Sequence, residues 1–191
     1  MPQPLDEGTN ARILDAAFAC AERFGVGKTT MSDVARAAGL SRQTLYRYFA
    51  SKHDLTAALV LREEEKLIVE VRAAAEPHED LRPALEAAFV TCLKFFRNHP
   101  LLTRVMTVEP LQLLPFLTVE GNPVIELGSR TMEDVLTDRL PNASQILIHR
   151  AAETCARVLT SHAITPSRDD MEEVAASLAE LLCHGLAKEA R

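Results

Sequence analysis

The side chains best suited to chemistry are concentrated in one short segment, SRQTLYRYF at positions 41–49. Arginine can donate two hydrogen bonds to the O6 and N7 atoms of guanine, and glutamine can pair in a similar way with adenine. Tyrosine and threonine hydroxyls suit phosphate oxygens, and their carbon atoms can contact the thymine methyl group. The segment therefore favours contact with nucleic acid through its outward side chains, Arg42, Gln43, Thr44, Tyr46, Arg47 and Tyr48.

Two short helices are predicted to position these side chains. Thr30 can cap the first helix, and Gly39 suits the positive φ of a chain that leaves a helix. Ser41 can cap the second helix, in which only Leu45 and Phe49 are clearly apolar, so that one narrow stripe is buried. A Gly-containing turn between two such helices is typical of a helix-turn-helix, and an ordinary helical hairpin in an all-α core is the alternative.

Charge is distributed unevenly along the chain, which carries a net charge of −6. Between Arg23 and His53, six cations stand against Asp33 alone, so this stretch carries +5 and the remainder carries −11. The six cations are Arg23, Lys28, Arg36, Arg42, Arg47 and Lys52. A basic segment in an acidic chain directs one end toward DNA and keeps the rest away from it.

The stretch Thr29–Leu55 resembles the DNA-binding region of the tetracycline-repressor (TetR) family of bacterial transcription regulators. The similarity lies in the run D-V-A-x-A-A-G-L-S-x-x-T-L-Y-x-Y-F-x-S-K-x-x-L, and the preceding helix, 11–24, ends in Phe24-Gly25 as the family's first helix does. The resemblance implies an all-α homodimer of about nine helices per chain. It also implies an N-terminal three-helix helix-turn-helix DNA-binding head and a C-terminal helical body for ligand binding and dimerisation.

The same resemblance implies which side chains touch double-stranded DNA. Those expected to face base edges are Ser32, Arg42, Gln43, Tyr46 and Arg47. Those expected to hold phosphates are Thr30, Thr44, Tyr48 and Lys52. Because one head reads only a short half-site, useful specificity requires two heads on a two-fold axis and therefore a palindromic operator.

Three regions are predicted along the chain: a tail at 1–8, the DNA-binding head at 9–50, and the ligand-binding and dimerisation body at 51–191. Ser51 can cap a helix of about 24 residues that reaches Ala75, which corresponds to roughly 36 Å. That length allows a helix to run from the DNA surface into the body and to act as a lever. Its run of charges at 62–66 is interpreted as a solvated face.

Apolar residues between 85 and 136 suggest a ligand pocket for a hydrophobic or amphipathic effector. The stretch 109–123 is too broken by prolines for one helix and too apolar for a free loop. Packing in the core or at a subunit contact is the alternative. The candidate pocket residues are Phe89, Leu93, Phe96, Leu102, Met106, Glu109, Leu113, Phe116, Leu117 and Met132. The polar groups expected to orient a ligand are Thr103, Glu109, Gln112 and Arg130.

The last two predicted helices, 144–163 and 167–188, carry apolar residues at spacings of mostly three and four. In the family, two such helices from each subunit form a four-helix dimer interface, although monomer core would show the same periodicity. The expected interface residues are Ile146, Ala151, Val158, Val174, Leu178, Leu181, Leu182 and Gly185.

Other classes of function have little support in the sequence. The cysteines at 20, 92, 155 and 183 lack zinc-ligand spacing and are interpreted as buried reduced thiols, with redox sensing as the alternative. We find no Gly-rich phosphate loop, no H-E-x-x-H and no G-x-S-x-G, so we expect neither an enzyme nor a cofactor or metal. No apolar run approaches the roughly 20 residues of a membrane helix, and we expect a cytoplasmic protein.

These patterns together predict a repressor that binds its operator as a dimer and is released by a small ligand. A DNA-binding regulator that does not respond to ligands is the alternative. An all-α carrier or enzyme is a more distant one.

Overall fold

The computed structural model describes residues 6–108, 111, 122–165 and 167–187. Every regular element in these ranges is an α-helix, which confirms the predicted all-α class. The helices are α1 (Glu7–Phe24), α2 (Met31–Ala37), α3 (Arg42–Tyr48), α4 (Lys52–Ala75), α5 (Leu81–Asn98), α6 (Pro100–Val108), α7 (Asn122–Arg139), α8 (Gln145–Ile164) and α9 (Met171–Ala187).

The chain forms two compact units, and the first contains the described residues of Met1–Glu63 and Pro100–Val119. Its core combines one face of α1 with residues from the two short helices that follow, among them Val34 and Leu45. Leu55 and Leu59, in the first half of α4, and Leu101 in α6 complete this core. The two short helices are thus held by tertiary packing, which a helix of two turns needs in order to form.

Helix α1 begins earlier than the sequence suggested. The side chain of Asp6 accepts hydrogen bonds from the backbone N–H groups of Gly8 and Thr9 at 3.3 and 3.0 Å. These bonds cap the helix at Glu7 rather than near position 11, so Glu7 and Gly8, assigned above to the tail, are helical. A hydrogen bond from the Thr9 hydroxyl at 2.7 Å and these backbone bonds hold the pKa of Asp6 below its usual value, which favours the anion at the positive end of the helix dipole.

The predicted caps of the helix-turn-helix are confirmed. The Thr30 hydroxyl accepts from the backbone N–H of Asp33 at 3.2 Å, and the Asp33 carboxylate accepts from the backbone N–H of Thr30 at 3.3 Å. The Ser41 hydroxyl accepts from the backbone N–H of Thr44 at 3.0 Å. Gly39 lies between the two helices with φ of +66°, a conformation that glycine adopts without steric cost.

The second unit contains the described residues of Glu64–His99 and Glu120–Arg191. Its core draws on the second half of α4 and on α5, α7, α8 and α9, with Leu85, Phe89 and Leu136 fully buried. Arg139 at the end of α7 donates hydrogen bonds to the carbonyl oxygens of Ala75 and His78 at 2.7 and 3.0 Å. Ala75 is the last residue of α4, and the guanidinium supplies a hydrogen bond to its carbonyl group, which has no partner within the helix.

All four cysteines are free thiols, as predicted, and only Cys183 is not fully buried. Burial raises the pKa of Cys92 and of Cys155 to about 12. Both therefore remain protonated at neutral pH, and because the thiolate is the reactive form, neither has the character of a redox sensor.

Candidate nucleic-acid interface and ligand cavity

Helix α3 buries a single residue and presents most of the others. Leu45 is 0% exposed, and its position in the core of the first unit fixes the orientation of the helix. The four α3 residues predicted to read bases, Arg42, Gln43, Tyr46 and Arg47, are all exposed. Ser32, the fifth predicted base-reading residue, lies on α2 and is half-buried. The exposed side chains supply the donors and acceptors that the major groove requires.

Two α3 residues are less exposed than predicted. Tyr48 is half-buried because its ring packs against the core of the first unit, and its hydroxyl accepts a hydrogen bond from the backbone N–H of Asp6 at 3.3 Å. Thr44 is half-buried, and its hydroxyl lies 2.9 Å from the Ser41 hydroxyl. Both residues were predicted to hold phosphates, and each has a partner within the chain.

The other two predicted phosphate-binding residues also make intramolecular contacts. The Thr30 hydroxyl donates to the Asp33 carboxylate at 2.5 Å, so its single hydrogen is used in the cap of α2. Lys52 donates from Nζ to the carbonyl oxygen of Gly27 at 2.8 Å. Gly27 belongs to the turn between α1 and α2, so the lysine charge is held beside that turn.

The run of charges at 62–66 is not a solvated face, and that interpretation was wrong. Arg62 contacts the Asp15 carboxylate at 2.7 Å and the Glu63 carboxylate at 3.1 Å, and it donates to the carbonyl oxygen of Leu14 at 3.3 Å. Glu63 is buried. These contacts attach the first half of α4 to α1 within the first unit. Only Glu65 and Lys66 of the run are exposed.

Glu64 lines a partly open cavity of about 60 Å³ in the second unit. One of its carboxylate oxygens, Oε2, is buried and has no hydrogen-bond partner in the described part of the chain. Burial raises the pKa of Glu64 to about 8, and the charge of Glu65 contributes further. Most of the wall is apolar and includes Leu67, Ile68, Val71, Phe96, Met132 and Leu159.

The spacing of apolar residues along α4 indicates that Glu64 lies on the buried face of that helix. Counting from position 64, the buried residues Leu67, Ile68 and Val71 follow at three, four and seven, so the carboxylate continues the apolar stripe of α4. Burial of a charged side chain without a partner costs free energy. A charged residue at a buried position of a helix is therefore a stronger indication of function than one in an exposed run of charges.

The structure brings two of the predicted pocket residues, Phe96 and Met132, to the cavity. Phe89 and Leu93 lie in the core of the second unit, while Leu102 packs against the core of the first. The remaining predicted residues, Glu109, Leu113, Phe116 and Leu117, lie outside the described residues, as does the side chain of Met106.

The polar groups expected to orient a ligand are placed differently as well. Arg130 is exposed and pairs with Glu126 at 2.5 Å, and Thr103 is also exposed. Gln112 lies outside the described residues. Among the cavity-lining residues that the structure describes, Glu64, Thr131 and Thr160 carry the polar side-chain oxygens. None of these three was predicted to orient a ligand.

The predicted interface residues divide by exposure. Ile146 and Leu181 are 65% and 70% exposed, and Gly185 faces open space. Ala151 and Val174 are buried in the core of the second unit. The half-buried members are Val158, Leu178 and Leu182.

In the part of the chain that the structure describes, no helix has the length and apolar character of a membrane span. The same residues contain no group of three or more histidine, cysteine or acidic side chains arranged to hold a metal ion.

Family models match most of the chain. Residues 13–59 match the model described as bacterial regulatory proteins of the tetR family, and residues 80–184 match a C-terminal domain of bacterial tetracycline repressors. The chain is 30% identical over 166 residues to an HTH-type transcriptional regulator of Mycobacterium tuberculosis, which covers 85% of this chain and 78% of that one. It is 31% identical over 157 residues to the HTH-type transcriptional regulator AlkX of the same species, covering 80% and 73%.

A solved structure extends the similarity to the fold. The TetR family repressor AlkX from Dietzia sp., implicated in the biodegradation of n-alkanes, superimposes with a TM-score of 0.79 at 30% identity, covering 94% of this chain and 98% of that one. The two family models, the relatives at about 30% identity and the shared fold all agree. The chain belongs to the TetR family and is a DNA-binding transcriptional regulator.

Proposed function

We propose that the protein is a repressor that binds a palindromic operator as a homodimer and leaves it when a hydrophobic or amphipathic ligand enters the second unit. The observation that carries the DNA-binding part is the exposure of Arg42, Gln43, Tyr46 and Arg47 on a helix fixed by buried Leu45. The proposal assigns no catalytic role to the chain. It places the protein in the cytoplasm, where chromosomal DNA lies.

Exposed apolar side chains support the homodimer. Ile146 on α8 and Leu181 on α9 expose most of their surface, and burial of this apolar area against a second chain would be favourable. Ala151 and Val174 already pack inside the protomer, so we place the interface on the exposed members of the predicted set. Gly185 adds a position where two backbones can approach closely.

The cavity supports a response to a ligand. Its apolar wall suits an aliphatic group, and the similar Dietzia repressor is implicated in the biodegradation of n-alkanes. A ligand releases DNA only if it binds the DNA-free conformation more tightly than the DNA-bound one. A 100-fold preference corresponds to about 2.7 kcal/mol of coupling per site.

Selection of bound duplexes from random DNA tests the proposal. We expect enrichment of one palindromic sequence, and sedimentation of the purified complex should give two chains per duplex. Titration of that complex with aliphatic alcohols, acids and amines, followed by fluorescence anisotropy, should identify compounds that release the DNA. Enrichment of a non-palindromic sequence by single chains would contradict the repressor dimer. Release by none of these compounds would favour the regulator that does not respond to ligands.

A further inference from the structure

Among the residues that the structure describes around it, the cavity beside Glu64 offers side-chain hydrogen-bond acceptors but no free hydroxyl donor. The hydroxyl of Thr131 donates to the carbonyl oxygen of Leu127 at 3.1 Å, and that of Thr160 donates to the carbonyl oxygen of Ala156 at 2.8 Å. Because a hydroxyl has one hydrogen, both threonines have only lone pairs left to offer an occupant.

Glu64 adds the strongest acceptor when it is ionised. Its Oε2 atom has no hydrogen-bond partner in the described part of the chain, and the cavity wall described around it contains no cation. An unpaired carboxylate in apolar surroundings is unfavourable, which is why burial raises its pKa to about 8. The other titratable group of the wall is the thiol of Cys92, and Glu65 is the charged neighbour on α4.

The size of the cavity limits what fits beside Glu64. A volume of about 60 Å³ is several times the roughly 10–15 Å³ that a cavity needs in order to hold one water molecule. The space therefore holds the end group of a ligand with its first carbon atoms. Leu67, Ile68 and Met132 provide an apolar wall for those carbon atoms.

We infer that the effector carries a primary amine at one end of an aliphatic chain, and that Glu64 binds the ammonium group. An ammonium has three N–H donors, which match the Glu64 carboxylate and the two threonine oxygens. An alcohol offers one donor. A carboxylate would have only the proton of neutral Glu64 as a partner and would face the threonine lone pairs. The inference rests on the proposed ligand response of the second unit.

Calorimetry on the full-length protein tests this with four probes of equal chain length: n-octylamine, n-octanol, n-octanoate and n-octyltrimethylammonium. The last probe has the charge without the N–H donors. We expect n-octylamine to bind at least tenfold more tightly than each of the others. Glu64→Gln should reduce n-octylamine affinity at least tenfold, while Glu70→Gln, which changes an exposed acid on the same helix outside the cavity, should change it less than twofold.

The dependence of affinity on pH distinguishes the two ionic head groups. An alkylamine stays protonated between pH 6 and 8, as lysine does, but Glu64 must lose its proton to pair with it. The n-octylamine affinity should therefore rise as the pH increases through this range, and the rise should be absent in Glu64→Gln. An n-octanoate affinity that equals or exceeds that of n-octylamine, and that falls as the pH rises, would overturn the inference.

Three further measurements keep this result separate from the proposed function. Circular dichroism checks that Glu64→Gln is folded, and Thr160→Val, which removes one acceptor while keeping the side-chain shape, should independently weaken n-octylamine binding. Anisotropy with the selected operator then reports release of DNA. Binding of n-octylamine without release would contradict the proposed release and support the Glu64 site. Release by another probe without n-octylamine binding would overturn the amine inference alone.

Discussion

The ammonium group of Lys52 donates a hydrogen bond to the carbonyl oxygen of Gly27 at 2.8 Å, which joins the start of α4 to the turn between α1 and α2. A lysine side chain normally loses considerable rotational freedom when it binds a phosphate. Here the contact with Gly27 has already restricted it. The charge is therefore held in a defined place before DNA arrives.

Lys52→Ala should weaken binding to all duplexes by a similar factor, because a phosphate contact carries no sequence information. The slope of log affinity against log salt should decrease in magnitude by about one. Anisotropy titrations at several salt concentrations measure both quantities. Lys94→Ala is the matched control, since Lys94 pairs with Glu172 in the second unit. An unchanged salt slope for Lys52→Ala would remove Lys52 from the interface.

Gln43→Ala and Arg47→Ala should instead change which sequences are preferred. Each should reduce discrimination at one base pair by about 1–3 kcal/mol, because a bidentate contact with a base edge is lost. Competition binding with single-base variants of the selected operator locates the position. Arg150→Ala, an exposed arginine of α8, is the control. Equal weakening on every competitor would reassign both side chains to phosphate contacts.

The stability of the protein should depend on pH through Glu64. Its pKa rises from the ordinary value of 4.5 to about 8 on folding, so the folded chain holds this proton more tightly than the unfolded chain. The stabilisation is fully present below about pH 4.5 and is lost as the pH rises to about 8, at a rate of at most about 1.4 kcal/mol per pH unit.

Urea unfolding of the wild type and Glu64→Gln at pH 5, 6, 7 and 8 measures this effect. The difference in the free energy of unfolding should move steadily in favour of Glu64→Gln as the pH rises. Cys92 also lines the cavity, but its pKa of about 12 places its titration outside this range. Glu70→Gln, a change of an exposed acid on the same helix, should show no such trend with pH. A constant difference for Glu64→Gln would mean that Glu64 is ionised in the folded protein throughout.

Gly128→Ala should stabilise the protein by about 0.5–1 kcal/mol, because glycine lowers the stability of a helix interior and α7 has one at this position. The added Cβ would lie 3.5 Å from the Cβ of Ala156, an ordinary contact, and 4.0 Å from Oε1 of Glu64. Thermal unfolding gives the stability. Because the methyl group enters the cavity, n-octylamine affinity should decrease at the same time. A destabilised variant would show that the cavity wall has no room for it.

Leu181→Glu should convert the proposed dimer to monomers by placing a charge in its proposed apolar interface. Sedimentation velocity measures the change, and operator affinity should fall with it. Val69→Glu is the matched control, because Val69 is also exposed, at 68%, and is not in the predicted interface. We choose Leu181 alone since Leu182 packs partly against the protomer core. An intact dimer would place the interface elsewhere.

The sequence predicted most accurately the features that depend on near neighbours along the chain. Caps at Thr30 and Ser41 and the turn at Gly39 involve residues three or four positions apart, and all three are confirmed. The burial of Leu45 followed from the helical period.

Features that depend on distant partners were predicted less well. Glu64 was interpreted as solvated because its neighbours in the sequence are charged, but its burial is decided by helices α5, α7 and α8, which follow it in the chain. Ala151 and Val174 have the same helical spacing as the exposed Ile146 and Leu181, so periodicity alone does not separate core from exposed surface. The position of the proposed ligand cavity in the second unit depends on such long-range packing.

Leu45 is the only fully buried residue among the seven of α3. With the proposed base contacts, the requirements for folding and the requirements for choosing a DNA sequence fall on different side chains of the same helix. We therefore expect substitutions at the outward positions to redirect the protein to another operator while the core that supports the helix stays unchanged. The outward residues of α3 could then be replaced by those of a related regulator without changing the buried residue that supports the helix. Such a graft is a direct way to design a repressor that binds a different operator.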